Sequence, residues 1–132
     1  DGINMGTRFI ATKEAPVHQN VKDTIVAASE LDTRLIMRGL RNTERVLISH
    51  ATERVMAKER ELGSAITFAD IAPELAGVYP RIMQQGDMEA GVWSCGMVAG
   101  LIRDVPSVQE LITRIMAEAE SIIASRLAGL LR

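Results

Sequence analysis

Aromatic residues are almost missing from this chain of 132 residues: Phe9, Phe68, Tyr79 and Trp93 are the whole set, 3% of the total. Hydrophobic residues nevertheless reach 47%, and seven of them are Met. The apolar mass is therefore aliphatic, which favours helices over a β-sandwich or small β-barrel built on β-branched and aromatic residues. A single Cys excludes an internal disulfide framework and any all-cysteine metal site. With 15 basic against 17 acidic side chains the net charge is −2, so there is no basic footprint for nucleic acid or anionic lipid. No apolar run reaches the roughly 20 residues of a membrane span, and no basic-then-apolar leader opens the chain. A soluble, cytoplasmic protein with neither membrane nor nucleic-acid partner is expected. The length suits one compact domain. The chain also begins awkwardly, because it reads as a buried strand within three residues of Asp1, and a lone strand leaves its ladder groups unpaired. The expectation is a fragment or a processed C-terminal part.

Along the chain, Ile3, Met5, Thr7 and Phe9 alternate with Asn4, Gly6 and Arg8, the pattern of a strand over residues 3–10. Gly6 marks a bend or a close backbone approach. Pro16 suits the first turn of a helix carrying Val17, Val21, Ile25 and Ala28. Residues 33–38 read as a short strand or an extended link broken by Gly39. Asn42 or Thr43 then caps a helix running to about Leu62, with Val46, Leu47, Ala51 and Val55 in its apolar stripe. The mixed charges of its other face, among them Arg54, Lys58 and Glu59, read as a solvated surface with i,i+4 pairs. Thr67 and Asp70 form a capping box for a short helix near Pro73, and Pro80 starts or kinks the next piece. Residues 88–102, apolar and rich in small side chains, read as a buried helix. Ser107 and Glu110 make an S-x-x-E capping box for a last helix whose stripe runs through Leu111, Ile112, Ile115, Met116, Ile122 and Ile123.

Catalytic signatures are sparse. His18 and His50 have no partner at metal-ligand spacing, and no H-E-x-x-H, G-x-S-x-G or P-loop motif occurs, so no metal site is expected. His18 is placed in the first turn of a helix and His50 in mid-helix, both in surface or packing roles. Ser94 and Cys95, in an apolar run without a nearby base or cation, read as packing. Two segments carry more chemistry. A strand ending in Met5-Gly6-Thr7-Arg8 lets a phosphate approach the main chain, with the Gly6 and Thr7 amides and the Thr7 hydroxyl as donors. Its plain alternative is an ordinary strand with a glycine kink. The strand alternation points Arg8 away from Thr7, as an ion-pairing strand-end residue or a phosphate ligand. In the second segment Gly96 and Gly100 lie four apart and expose a bare backbone strip for close packing, with Trp93 at its start placed to line a pocket.

Residues 2–9, followed by residues 11–18, resemble the last barrel strand and following turn of the nitronate monooxygenase family, formerly the 2-nitropropane dioxygenases. Residues 86–102 are similar to the C-terminal segment of the same family. Their W-x-x-G-M-V-x-G-L-I form, Trp93 to Ile102, is nearest to the branch of FMN-dependent NADH:quinone reductases, and flavin-dependent enoyl-ACP reductases share the general plan. The resemblance covers essentially the whole chain. It implies an α/β parent, an FMN-binding (β/α)8 TIM barrel, of which residues 1–30 are the last strand and helix and residues 31–132 a C-terminal helical subdomain. The chain as it stands is then mostly α. It implies FMN as cofactor, with NAD(P)H as a possible co-substrate, and either oxidation of alkyl nitronates with oxygen or hydride transfer from NAD(P)H to a quinone.

Carried over to this sequence, the resemblance makes Asn4, Met5, Gly6 and Thr7 contacts of the FMN phosphate. It turns Trp93, Gly96 and Met97 toward the flavin or the substrate entrance. Many monooxygenase members have a Gly-Gln pair where this chain has Gly96-Met97, a departure that favours the quinone-reductase branch. A full barrel takes about 250 residues and eight strands. The other phosphate loop and the catalytic His are therefore expected upstream of Asp1, no catalytic residue is assigned, and the isolated chain is expected to be inactive. Apart from a small-molecule substrate, the expected partners are the remaining barrel or a second copy, met through the apolar helix faces. The alternative to an enzyme is a non-catalytic helical interaction module.

Overall fold

The computed structural model describes residues 2–127, 129 and 130. Helices dominate it. In chain order they are α1 (Thr7–Ile10), α2 (Gln19–Ala27), α3 (His50–Leu62), α4 (Phe68–Leu75) and α5 (Val108–Ser121). Strands β1 (Thr33–Ile36) and β2 (Glu44–Leu47) lie between α2 and α3. A wide π-helical stretch covers Val78–Gln84, a 3-10 helix covers Met97–Leu101, and α5 continues as a π-helical stretch through Ile122–Leu127.

β1 and β2 pair antiparallel, with Thr33 opposite Leu47 and Ile36 opposite Glu44. The other side of β2 is met by the extended backbone near Ser94. An isolated antiparallel bridge joins Val46 to Ser94, the Leu47 amide donates to the Trp93 carbonyl at 3.3 Å, and the Cys95 amide donates to the Arg45 carbonyl at 3.0 Å. This ribbon separates two apolar clusters, as period-two alternation requires. Leu47, Trp93 and Cys95 enter the first, with Val21 and Ile25 of α2 and with Ala99 and Ile102. Val46 and Val92 enter the second, with Ile36, with Ala51 and Val55 of α3, and with Ile71 of α4.

The structure corrects several expectations. The strand over residues 3–10 does not form: residues 2–5 are irregular and Thr7 opens the short α1. A strand needs a neighbour to satisfy its backbone, and among the described residues β1 and β2 pair elsewhere. Thr7 and Arg8 are therefore successive helix residues, not opposite faces of a strand. Pro16 does not open α2. His18 is its N-cap, its imidazole accepting from the Asn20 amide at 3.1 Å.

The strand reading of residues 33–36 holds, but the next helix starts later than Asn42 or Thr43. Glu44–Leu47 are a strand because β1 and the Ser94 backbone take up their hydrogen bonds. Ser49 caps α3 instead, so His50 is the first helix residue rather than a mid-helix one. Residues 88–102 are not a buried helix. Glycine is a weak helix former, and the chain here runs extended between α4 and β2 before the 3-10 turn, with the Val92 amide donating to the Glu74 carbonyl at 2.9 Å. Both capping boxes form, Thr67 with Asp70 and Ser107 with Glu110. The α5 stripe is only partly covered: Leu111 is buried, while Met116 and Ile123 are 55% and 60% exposed.

Candidate functional site

Thr7 sits at the start of α1, and its hydroxyl oxygen accepts a hydrogen bond from the Gly96 amide at 3.0 Å. This contact joins residues 89 positions apart and places the Gly6-Thr7 pair against the Gly96-Met97 pair. The oxygen is the acceptor here, so the hydroxyl proton is left to donate outward. Gly6 is exposed, and a side-chain carbon added to it would meet nothing within 4 Å. Among the described residues the amides of Gly6, Thr7 and Arg8 donate to no acceptor. These unpaired donors stand on consecutive residues beside an open glycine face, an arrangement suited to an anion such as a phosphate group.

Asn4 and Met5 directly precede Gly6 in the chain. With Ile3 and Phe9 they line a concavity of about 620 Å³ closed on its other side by Ile112, Ile115 and Met116 of α5. Trp93 is buried in the first apolar cluster at 2% exposure, and its indole N–H has no acceptor among the described residues. Met97 is 51% exposed, and with Val98 and Leu101 it forms an apolar surface beside Gly96. The structure thus brings Gly6, Thr7, Gly96 and Met97 together, leaves Asn4 and Met5 against α5, and holds Trp93 inside.

Arg8 is an anchor that alternation obscured. Its guanidinium donates to the Asp104 side chain at 3.3 Å, the Asp104 carbonyl at 2.8 Å and the Ala11 carbonyl at 2.7 Å. Asp104 also pairs with Arg114 of α5 at 2.8 Å, which ties α1 to the last helix. Arg8 is thus held by one ion pair and two backbone carbonyls, while its buried Nε has no acceptor among the described residues. The two partners, Arg8 and Asp104, are 96 residues apart, a contact that no local pattern signals.

Neither His is near this face. His18 caps α2 and lies against Gly86, where a side-chain carbon would come within 2.2 Å of its ring. His50 is exposed and its ring nitrogen lies 3.3 Å from Glu89. Burial pushes the Cys95 thiol up to about 11, so it stays a protonated, packed group at neutral pH. Gly100 does make a close approach: a side-chain carbon there would lie 2.5 Å from the Glu30 amide nitrogen. Among the described residues no group of three or more His, Cys, Asp or Glu side chains is arranged to hold a metal ion, and no helix is long and apolar enough to cross a membrane.

Comparison with known proteins bears on the fold and the family. FabK from Thermotoga maritima, a TIM-barrel protein, superposes with a TM-score of 0.83 at 32% identity, over 96% of this chain and 39% of that one. A methionine-to-alanine mutant of the same protein gives a TM-score of 0.75 at 29% identity, over 96% and 36%. A curated relative from Mycobacterium tuberculosis, (3aS,4S,5R,7aS)-5-hydroxy-7a-methyl-1-oxo-octahydro-1H-indene-4-carboxyl-CoA dehydrogenase, is 28% identical over 89% of this chain and 43% of its own length. The chain thus spans less than half the length of each of these relatives. The nitronate monooxygenase family model matches residues 1–118, a stretch that contains both halves of the Thr7–Gly96 contact, and the chain belongs to the nitronate monooxygenase family.

Proposed function

We propose that this chain is the phosphate-binding and substrate-entrance part of an FMN-dependent oxidoreductase that oxidises alkyl nitronates with oxygen. The observation that supports it best is the 3.0 Å hydrogen bond from the Gly96 amide to the Thr7 hydroxyl oxygen. It puts the two segments of family resemblance at one place, with the Thr7 hydroxyl proton and the Gly6 and Thr7 amides available to phosphate oxygens. The bare face of Gly6 fits the close approach that a phosphate needs. Bound flavin would supply two-electron redox chemistry there. This chain's own part is to bind and to orient: Gly6 and Thr7 hold the phosphate end, and Gly96 and Met97 border the opening through which substrate arrives. No residue of the chain is assigned as a base, because His18 is engaged at α2 and His50 stands on the surface.

A second reading, NAD(P)H:quinone reduction through the same flavin, is favoured by one feature. Met97, Val98 and Leu101 are 51%, 43% and 82% exposed beside Gly96, an apolar border suited to a flat, uncharged acceptor.

Flavin fluorescence tests the cofactor assignment. FMN titrated into the protein is expected to bind, and Thr7→Val to weaken binding about tenfold, the loss of one hydrogen bond to a charged group. Thr7→Ser should restore it. Equal affinity in wild type and Thr7→Val would overturn the phosphate role. In a parent protein that carries the whole barrel, oxygen uptake with an alkyl nitronate, set against NADH oxidation with a quinone, separates the two reactions. Met97→Gln is expected to shift the preference toward the nitronate.

A further inference from the structure

Three adjoining concavities share the side chain of Met56, on α3 next to the outer edge of β1, and arginines border each of them. Arg34 and Arg60 line the first, of about 340 Å³; Arg38 and Arg60 line the second, of about 410 Å³; Arg34, Arg38 and Arg45 line the third, of about 390 Å³. Among the described residues none of these four guanidiniums has a carboxylate at ion-pairing distance, whereas Arg8, Arg54, Arg81 and Arg114 each do. Two of the four are oriented by neutral acceptors. Arg34 donates to the carbonyls of Leu31 and Thr33 at 2.8 and 2.9 Å, and Arg45 donates to the Thr33 hydroxyl at 2.9 Å.

Such acceptors fix a guanidinium without cancelling its charge, and they leave its remaining N–H groups free to donate. Arg38 and Arg60 are exposed, and their side chains donate to nothing among the described residues. The carboxylates bordering the same concavities are Glu53 and Glu59, and Glu59 already accepts from the Arg38 amide at 3.1 Å. Gathering like charges in one place costs stability unless an anion compensates them. The apolar floor, Leu35 and Ile48 with Met56, is not what an isolated inorganic ion requires.

We propose that this face binds the phosphate groups of a nucleotide-linked ligand, with the arginine forks on the phosphate oxygens and the ligand's less polar part over Met56. Planar guanidinium forks match phosphate oxygens in pairs, which a point charge does not. The proposal is independent of the flavin reading, since it uses β1, β2 and α3 and neither Thr7 nor Gly96.

Calorimetric titration of the chain with coenzyme A tests it, with ATP as a second nucleotide phosphate and pantetheine as the phosphate-free counterpart. Coenzyme A and ATP are expected to bind with affinity that falls as salt is added, and pantetheine not to bind. The double variant Arg38→Gln with Arg60→Gln touches no hydrogen bond of the fold and should weaken coenzyme A about tenfold or more. Arg81→Gln, elsewhere on the surface, should leave it unchanged, and saturating FMN should not displace it. Pantetheine binding as well as coenzyme A, no loss in the double variant, displacement by FMN, or no binding by either nucleotide would each overturn the proposal. So would binding of polyglutamate in place of the nucleotides, which would mark an acidic protein partner instead.

Discussion

A methyl group added at Gly100 would sit 2.5 Å from the Glu30 amide nitrogen, and one at Gly91 would sit 2.6 Å from the Glu74 carbonyl oxygen. Backbone atoms do not yield as a flexible side-chain tip does. Gly100→Ala is therefore expected to lower unfolding free energy by about 1–3 kcal/mol, read as a lower urea midpoint at unchanged slope. An unchanged midpoint would contradict the packing. Gly6 is the opposite case, with φ of −89° and open space around it, so Gly6→Ala should change stability by no more than about 0.5 kcal/mol. If that variant also loses FMN, the loss belongs to the site and not to folding. Cys95 gives a pH prediction. Its thiol is raised from 9.0 to about 11 by burial, so the unfolded chain loses this proton first. The contribution is complete below the unfolded value and is lost as pH rises from there toward the folded one, at up to about 1.4 kcal/mol per pH unit. Denaturant titrations across that range should show the decline in wild type and a shallower one in Cys95→Ala.

At the scale of elements, the two helix starts marked by capping boxes were legible because their chemistry is local, whereas the starts of α2 and α3 were not. The Ser107 hydroxyl accepts from the Glu110 amide at 3.1 Å, and the Glu110 carboxylate accepts from the Ser107 amide at 2.7 Å. Four consecutive residues complete that exchange, so reading them in order suffices. Ser107→Ala is expected to cost about 1 kcal/mol, visible in thermal denaturation. Hydrogen bonds from the Ser107 amide and hydroxyl, aided by Lys13, hold the Glu110 carboxyl below its usual range. A depressed carboxylate stabilises the fold above its ordinary value of 4.5 and ceases to do so as pH falls through the depressed one. Acid unfolding followed by circular dichroism should therefore begin at higher pH in Glu110→Gln, which lacks the interaction at every pH. Glu44–Leu47 shows the limit of local reading. Val46 and Leu47 extend the apolar stripe of α3 in sequence, but their backbone groups are claimed by β1 and by residues near Ser94, almost 50 positions away.

Across the whole molecule, the proposed reading gives the chain one side of a site rather than a reacting centre. Thr7 meets Gly96, while His18 is held at the N-cap of α2 and His50 faces solvent beside Glu89. The chain also spans only 36–43% of the relatives' lengths. We therefore expect it to turn over neither an alkyl nitronate nor NADH with a quinone, even with FMN added. Measurable turnover of either by this chain alone would show that a base lies among residues assigned here to packing.

Read in order, the residues determined what short-range chemistry can determine. Ser107 with Glu110 and Thr67 with Asp70 specify their helix starts, and Gly63, at φ of 54°, ends α3 where a left-handed residue is easily taken. Two short segments also carried the family resemblance. Tertiary structure decided the rest, because the deciding hydrogen bonds join residues far apart. Glu44–Leu47 became a strand and residues 92–95 an extended crossing because each satisfies the other's backbone groups. Residues 3–5 did not become a strand because no strand lies beside them among the described residues. The α5 stripe was legible as a helix, but nothing in its periodicity says how much of it is covered. Only packing left Met116 and Ile123 at the surface, and only packing brought Gly96 to Thr7.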